Sequence, residues 1–302
     1  MKKPEQAIND GQGGVDFQMK TVLITGAGGY IGRHVVSHVL DMGCRVIAAD
    51  LRLDGVDPRA ERCQTSIFNG EADLYQRLGT PDVCIHLAWR DGFVHQSDAH
   101  MQDLSGHITF LQNMMKSGLK TLSVMGTMHE VGYWEGAIDE NTPCKPLSQY
   151  GVAKNALRQS LLLSSEKTGC HVRWLRAYYI TGDDLHSNSI FAKISQAAAE
   201  GKPSFPFTTG KNQYDFIDVE ELAEMIAVAS LQEEEDGIIN VCTGKPMTLA
   251  ERVEGFIREH HYNIRLEYGV YPERQYDSPG IWGDATRIER IMSRYEESKR
   301  SN

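Results

Sequence analysis

Short, mostly apolar runs alternate with longer segments of helical periodicity along the first half of the chain. The runs are typical of strands buried on both faces and lie at 21–24, 45–49, 83–88, 122–125 and 172–176. Between them, helical spacing appears at 31–42 and 103–117, and a further helix carries Tyr150. This alternation predicts an α/β fold, a Rossmann-type doubly wound parallel sheet with right-handed crossovers.

The pattern becomes less regular in the second half of the chain. Spacing there predicts three helices near 190–200, 219–231 and 249–259, and one strand at 237–241. We therefore expect a smaller, mixed α/β lobe that lies over the strand ends of the main sheet.

These patterns suggest a division of the chain into three parts. We expect a leader without structure at 1–19, an NAD(P)-binding Rossmann domain at 20–176 and a substrate-binding lobe at 177–302. Some segments of the lobe are expected to return to the main sheet. The polar tail after Tyr295 predicts a frayed end.

Length and charge narrow the class of protein. The chain has 302 residues, 41% of them hydrophobic, which suffices for one large α/β unit or two closely joined lobes. Its net charge of −10 argues against nucleic-acid or anionic-membrane binding, although a local pocket can still be basic. The sequence contains no long apolar run and no signal-peptide pattern. We expect a cytoplasmic protein.

The cysteines are scattered, and none belongs to a C-x-x-C pair. Neither a zinc site nor a disulfide framework is predicted, so we expect reduced thiols and no metal. The six residues are Cys44, Cys63, Cys84, Cys144, Cys170 and Cys242.

A glycine-rich segment joins the first predicted strand to the first predicted helix. Gly26, Gly29 and Gly32 are spaced three residues apart, with Tyr30 and Ile31 between the last two. Missing side chains allow a sharp turn close to a pyrophosphate, and the helix N-terminus adds free N–H groups. The segment predicts a dinucleotide site, and an ordinary glycine-rich turn is the alternative.

Two further strand ends supply candidate cofactor contacts. Asp50 ends the second strand, where a carboxylate could bind the adenosine ribose hydroxyls and repel a 2′-phosphate. This favours NAD, although neighbouring Arg52, after Leu51, leaves NADP open. The strand ending near 88 is followed by more candidates, for which simple packing is the alternative: Leu87, Ala88 and Trp89.

Tyr150 and Lys154 lie four residues apart and therefore share one helix face. A lysine ammonium next to a phenol is expected to stabilise the phenolate and lower the pKa of the tyrosine. Such a tyrosine can exchange a proton with a substrate hydroxyl or carbonyl. A surface pair without chemistry is the alternative.

With these motifs the chain resembles the extended short-chain dehydrogenase/reductase family of nucleotide-sugar epimerases, dehydratases and reductases. The resemblance also rests on His86-Leu87-Ala88, Asp215-Phe216-Ile217-Asp218-Val219 and Asn240-Val241-Cys242-Thr243-Gly244. It implies an NAD(P)-dependent enzyme that binds a nucleotide-diphosphate sugar. It also implies a homodimer whose interface includes the Tyr150 helix, where leucines of that helix could serve either the interface or the core.

The resemblance assigns a third catalytic position. Thr127 stands where the family has a Ser or Thr that hydrogen-bonds the reacting oxygen; a turn threonine is the alternative. Sugar 4,6-dehydratases of the family have Asp-Glu next, whereas this chain has Met128-His129, which argues against that subclass. His129 could move a proton, as a residue that titrates near neutral pH, or could bind a sugar hydroxyl. Glu130 interrupts an apolar pattern for no reason visible in the sequence.

The candidate substrate contacts include departures from the family pattern. Tyr179 stands where the family has an asparagine, and Tyr214 replaces an arginine. Arg274 lies where relatives contact the substrate diphosphate, and a surface arginine is the alternative. Asn188 completes the candidate set.

Three functions remain at this point. The leading one is reduction of a 4-keto-6-deoxy sugar nucleotide, with hydride transfer at C4 and proton transfer by Tyr150. A nucleotide-sugar 4-epimerase with tightly held NAD is the alternative. A non-catalytic NAD(P)-binding protein on the same fold is the third.

Overall fold

The computed structural model describes residues 20–68, 70, 71, 73–182, 189–272 and 278–301. The strands in those ranges are β1 (Thr21–Thr25), β2 (Arg45–Asp50), β3 (Glu61–Gln64), β4 (Val83–His86), β5 (Thr121–Thr127), β6 (Gly136–Ile138), β7 (His171–Ala177), β8 (Tyr179–Thr181), β9 (Ser204–Pro206), β10 (Gln213–Asp218), β11 (Gly237–Val241), β12 (Pro246–Thr248), β13 (Arg265–Glu267) and β14 (Gly280–Gly283). The helices are α1 (Gly32–Asp41), α2 (Leu74–Arg77), α3 (Ala99–Lys116), α4 (Gln149–Thr168), α5 (Ile190–Ala199), α6 (Val219–Leu231), α7 (Leu249–Glu259) and α8 (Thr286–Ser301). A short 3₁₀ helix, Met128–Glu130, follows β5 directly.

Seven parallel strands form the main sheet, in the order β11-β7-β5-β4-β1-β2-β3. Side chains alternate between its two faces, so Ile24 and Val46 pack with α1 and α6 while Leu23 and Ile47 pack with α3 and α4. This is the doubly wound arrangement that the sequence predicts. The carboxyl ends of β1, β4 and β5 meet at one edge, where ligands of such sheets bind.

Most of the predicted helices and strands are confirmed. Helix α3 starts at Ala99, one turn earlier than its apolar pattern suggests. The prediction of a frayed tail after Tyr295 is wrong, because α8 continues to Ser301. Ion pairs support the helix in that stretch, since the Lys299 Nζ lies 2.7 Å from a carboxylate oxygen of Glu296 and 3.8 Å from one of Glu224 on α6.

A smaller sheet, built from strands of the second half of the chain together with β6, was not revealed by the sequence patterns. Strands β12, β10, β14 and β6 lie side by side, and β8 pairs with the far end of β10. Each is too short for a clear period-two pattern. Strand β11 instead leaves this half and pairs with β7, so the second half does return to the main sheet.

One buried carboxylate joins the pieces of this half. Asp215 of β10 accepts hydrogen bonds from the Thr243 N–H at 2.9 Å and hydroxyl at 2.6 Å, and from the N–H groups of Gly244 at 2.9 Å and Gly283 at 3.3 Å. Asp218 then caps α6 by accepting the N–H of Glu220 at 2.9 Å. In this structure the Asp-Phe-Ile-Asp segment therefore has a structural role.

Within the described ranges, no helix combines the length and apolar character needed to cross a bilayer. All six cysteines are free thiols.

Candidate active site

The glycine turn between β1 and α1 brings backbone close to backbone. A Cβ on Gly32 would lie 2.0 Å from the carbonyl oxygen of Gly26, and one on Gly26 would lie 2.5 Å from the backbone nitrogen of Ala88. Gly26 also has a φ of +71°, which favours glycine. The turn therefore sits tightly against the end of β4, placing Leu87 and Ala88 beside it.

Helix α1 starts at this turn without a side-chain cap. Ile31 occupies the N-cap position, and its side chain makes no capping hydrogen bond. Tyr30, just before, donates its hydroxyl hydrogen to the carbonyl oxygen of Gly182. A helix N-terminus that directly follows a glycine turn fits the pyrophosphate of NAD.

Asp50 lies at the carboxyl end of β2, next to the turn. Its Oδ2 accepts the N–H of Gly28 at 3.0 Å, and its Oδ1 accepts the N–H of Leu51 at 2.6 Å. A Cβ on Gly28 would lie 2.0 Å from the carbonyl oxygen of Arg52. Gly28 is thus a fourth required glycine, which the three-residue spacing did not single out.

Trp89 extends from the end of β4 towards the Tyr150 helix. Its ring stacks on His107 with centroids 4.4 Å apart, and its Nε1–H donates to Nδ1 of His100 at 3.0 Å. His107 is in turn 2.9 Å from His86, nitrogen to nitrogen. Lys154 places its Nζ 3.9 Å from the indole centroid, within cation–π range. In the structure, Trp89 therefore contacts the lysine predicted to be catalytic.

Helix α4 positions Tyr150 and Lys154 against the end of β5. Ser148 caps the helix by accepting the N–H of Gly151 at 3.1 Å. A Cβ on Gly151 would lie 2.3 Å from the carbonyl oxygen of His129. The absence of a side chain at Gly151 lets the helix touch the 3₁₀ helix, which brings Tyr150 next to Thr127.

The predicted pair of Tyr150 and Thr127 is in contact. Desolvation by burial raises the pKa of Tyr150 above 10.0, and the Thr127 side chain acts in the opposite direction but less strongly. Thr127 is 5% exposed and ends β5, and its Oγ1 also accepts the N–H of His129 at 3.2 Å. The net direction at Tyr150 is opposite to the lowering expected from the sequence.

Lys154 explains part of this difference. Its side chain is 2% exposed, and its Nζ donates to the carbonyl oxygen of Met125 at 2.8 Å rather than to the phenol. Burial lowers the pKa of Lys154 to about 7, while the charge of Glu130 acts in the opposite direction. Near neutral pH this side chain is therefore poised between ammonium and amine.

His129 lies between α4 and the loop before α3. Desolvation, and secondly the charge of His95, lower the pKa of His129 to about 3. The imidazole is therefore neutral at physiological pH, unlike the near-neutral titration expected from the residue type. A neutral imidazole suits a hydrogen bond to a sugar hydroxyl better than it suits general-acid chemistry.

His95 is a neighbour that no sequence motif indicated. Its ring centroid is 4.1 Å from that of His129, and it stacks on Tyr150 at 5.5 Å with an interplanar angle of 10°. The carbonyl oxygen of His95 also accepts the N–H of Tyr150 at 3.0 Å. Only the folded chain brings this loop to the end of β5.

The candidate substrate residues divide into two groups. Tyr179 on β8 packs against Tyr214 and Phe216, with ring centroids 4.2 Å and 5.7 Å away, so these contacts are within the smaller sheet. Asn188 and Arg274 lie outside the described residues.

A comparison with protein families fits this geometry. The model of the NAD dependent epimerase/dehydratase family matches residues 22–242, from β1 to the end of β11. The chain belongs to the NAD dependent epimerase/dehydratase family. Four predictions are thereby confirmed: the family, the fold class, NAD as the cofactor, and that the protein is an enzyme.

Individual members of the epimerase/dehydratase family are similar over nearly the whole chain. A dTDP-6-deoxy-L-talose 4-dehydrogenase (NAD(+)) of Aggregatibacter actinomycetemcomitans is 43% identical over 87% of this chain and 98% of its own length. UDP-arabinose 4-epimerase 1 of Arabidopsis thaliana is 25% identical over 90% and 74%. A solved UDP-N-acetylglucosamine 4-epimerase of Methanobrevibacter ruminantium M1 superposes with a TM-score of 0.80 at 21% identity, covering 93% and 98%. At this low identity, the solved epimerase structure shows only that the two chains share a fold.

Proposed function

We propose that this chain is an NAD-dependent 4-dehydrogenase of a nucleotide-linked 6-deoxy sugar, which acts in reverse as a 4-keto sugar reductase. The observation that carries the proposal is the contact of Thr127 with Tyr150, with Lys154 one turn further along α4. The 43% identity to a 4-dehydrogenase of that class supports the choice of substrate.

The residues divide the reaction between them. The glycine turn and Asp50 would hold NAD, which would supply a hydride acceptor for C4 of the sugar or, in its reduced form, a hydride donor. In the oxidation direction, the C4 hydroxyl proton passes to the Tyr150 phenolate as the carbonyl forms; in reduction the phenol returns it. Thr127 hydrogen-bonds the same oxygen and orients it. Lys154, as ammonium, stabilises the phenolate and can hold the nicotinamide ribose.

The same proposal assigns contacts with the cofactor and the substrate. The turn at Gly26, Gly29 and Gly32 would hold the pyrophosphate, and Asp50 the adenosine ribose, which favours NAD over NADP. His129 would bind a sugar hydroxyl as a neutral imidazole. Arg274, Asn188 and Tyr179 stay proposals for the nucleotide-sugar site.

The first experiment measures turnover with purified protein. Incubation with dTDP-6-deoxy-L-talose and NAD⁺ is expected to produce NADH and the 4-keto sugar, with much lower rates for NADP⁺. Formation of a C4 isomer without net NADH would instead establish a 4-epimerase. Loss of both signals across a panel of 6-deoxy and UDP-linked sugars, with NAD still bound, would contradict both and support a binding protein.

We also propose that the enzyme is a cytoplasmic homodimer that associates through α3 and α4. The two helices already pack together, with the Gln112 side chain donating to the Ser164 hydroxyl at 2.9 Å. Leu157 and Leu161 are fully buried in the core, whereas Leu163 is 63% exposed on the outer face of α4. Light scattering on the purified protein is expected to give twice the chain mass; a monomer mass would contradict this.

A further inference from the structure

Glu130 is a fully buried carboxylate beside the proposed reaction centre. Its exposed fraction is 0%, and the surrounding sequence pattern predicts an apolar residue at this position rather than a carboxylate. Its Oε1 accepts the backbone N–H of Thr127 at 2.8 Å and the indole N–H of Trp174 at 2.7 Å. A buried charge of this kind is costly unless hydrogen bonds and opposite charges compensate it.

Two arginines supply the opposite charge. Arg158 on α4 places its Nε 3.1 Å from Oε2 of Glu130, and Arg176 on β7 places its Nη2 at 3.8 Å. Among the described residues, neither Oε2 nor Arg158 Nε has an aligned hydrogen bond, so Coulomb attraction holds this side. Such an arrangement adds less stability than well-packed apolar side chains would, which argues for another role of the carboxylate.

The hydrogen bonds of Glu130 fix the backbone at Thr127. Thr127 and Glu130 form a reciprocal capping box around the 3₁₀ helix, with Thr127 as its N-cap. The preceding Gly126 makes room, because a Cβ there would lie 2.2 Å from Nε1 of Trp174. The indole can therefore reach Glu130 and donate its N–H to Oε1.

We propose that Glu130 is a positioning residue of the reaction, whose carboxylate holds Thr127 against Tyr150 and supplies the negative charge next to Lys154. The proposal rests on the proposed function for its kinetic consequences. A misplacement of about 1 Å in such a site can cost about 10²-fold in rate, so a rigid support for Thr127 has kinetic value.

The charge acts on groups from each element that packs around it. It raises the pKa of Lys154 and, as a minor contribution, that of Tyr150. The positive charges of Arg158 and Arg176 oppose it, and the Sγ of Cys144 lies 3.5 Å from Nη2 of Arg158. The charged and titratable groups around Glu130 are Tyr150, Lys154 and Arg158 on α4, Cys144 in the loop before α4, Arg176 on β7 and Tyr178 directly after β7.

Two substitutions test separately the side-chain length and the charge of Glu130. Glu130→Asp keeps the charge but cannot reach the Thr127 N–H, so kcat is expected to fall about 10–100-fold while KM for the sugar and the pH profile stay unchanged. Glu130→Gln keeps an acceptor but removes the charge, so the limb of the kcat/KM profile set by Tyr150 is expected to move to lower pH. The control is Glu135→Gln, an exposed carboxylate that accepts the hydroxyl of Tyr133 and should behave as wild type.

The result that overturns the proposal is equal kcat and an unmoved pH profile in both variants. Amide hydrogen exchange at Thr127 tests it without turnover. Slow exchange in wild type and Glu135→Gln, and exchange about tenfold faster in Glu130→Asp, is expected. Fast exchange in the wild-type protein would overturn the proposal even if neither variant folds. A wild-type protein with a slow Thr127 amide but no turnover would contradict only the proposed function.

Discussion

Replacement of Tyr150 by phenylalanine is expected to lower kcat by about 10²–10⁴-fold, the usual contribution of a positioned general acid or base. The phenyl ring keeps the packing against Trp89 and His95, with centroids 6.2 Å and 5.5 Å from the Tyr150 ring. The hydroxyl that contacts Thr127 is lost, so proton transfer has no partner. The dissociation constant for NAD and the melting temperature should stay close to those of the wild type.

Tyr133→Phe is the matched control. Tyr133 is an exposed phenol whose hydroxyl donates to Glu135, and it contributes nothing to the proposed site. Its variant should turn over at the wild-type rate. A Tyr150→Phe enzyme that kept more than about a tenth of wild-type kcat would remove Tyr150 from the proton-transfer step.

Lys154→Met is expected to make the protein more stable and less active. Methionine fills nearly the same volume without a buried charge, so the free energy of unfolding at pH 7 should rise by about 1–3 kcal/mol. This gain already allows for the Met125 carbonyl oxygen and the Trp89 ring, which lose their partner. Without an ammonium beside the phenol, kcat should fall by about 10²-fold or more.

The stability gain has a defined pH dependence. The pKa of Lys154 is about 7 in the folded protein and 10.5 when unfolded, so the unfolded chain binds more protons between these values. Wild-type stability should therefore rise from pH 7 towards 10.5, and the advantage of the variant should shrink over that window. Lys167→Met, at the exposed end of the same helix, is the control, and urea unfolding at several pH values is the measurement. An advantage independent of pH would show that Lys154 is charged in both states.

The sequence predicted the main sheet well because its strands are buried on both faces. Runs such as that of β4 contain nothing but apolar residues until His86, and the glycine turn marks the start of α1 without ambiguity. The strands of the smaller sheet have three to six residues each, and the pairing of β6 with β14 joins Gly136 to Ile281, which lie far apart in the chain. No local pattern encodes a pairing of that range.

The site was predictable where one motif contains the chemistry. Tyr150 and Lys154 share a helix, and Thr127 lies at a family position. His95 and Glu130 were not predictable as site neighbours, since they come close to Tyr150 only through the packing of a loop and a 3₁₀ helix on α4. The pKa values of the group also depend on burial, which spacing in the sequence does not express.

The pairing of β11 with β7 has a consequence for synthesis of the chain. Strand β7 is translated well before β11, and until then its outer backbone groups have no strand beside them. Arg173 on β7 also gains its hydrogen-bond acceptors late in synthesis, because its guanidinium donates to the backbone carbonyl oxygens of Ser230 and Glu235. A nascent chain that ends before Gly237 therefore lacks the strand that covers the edge of β7, and that edge carries Arg173, which is buried in the folded protein. The main sheet can therefore be completed only after β11 has been synthesised.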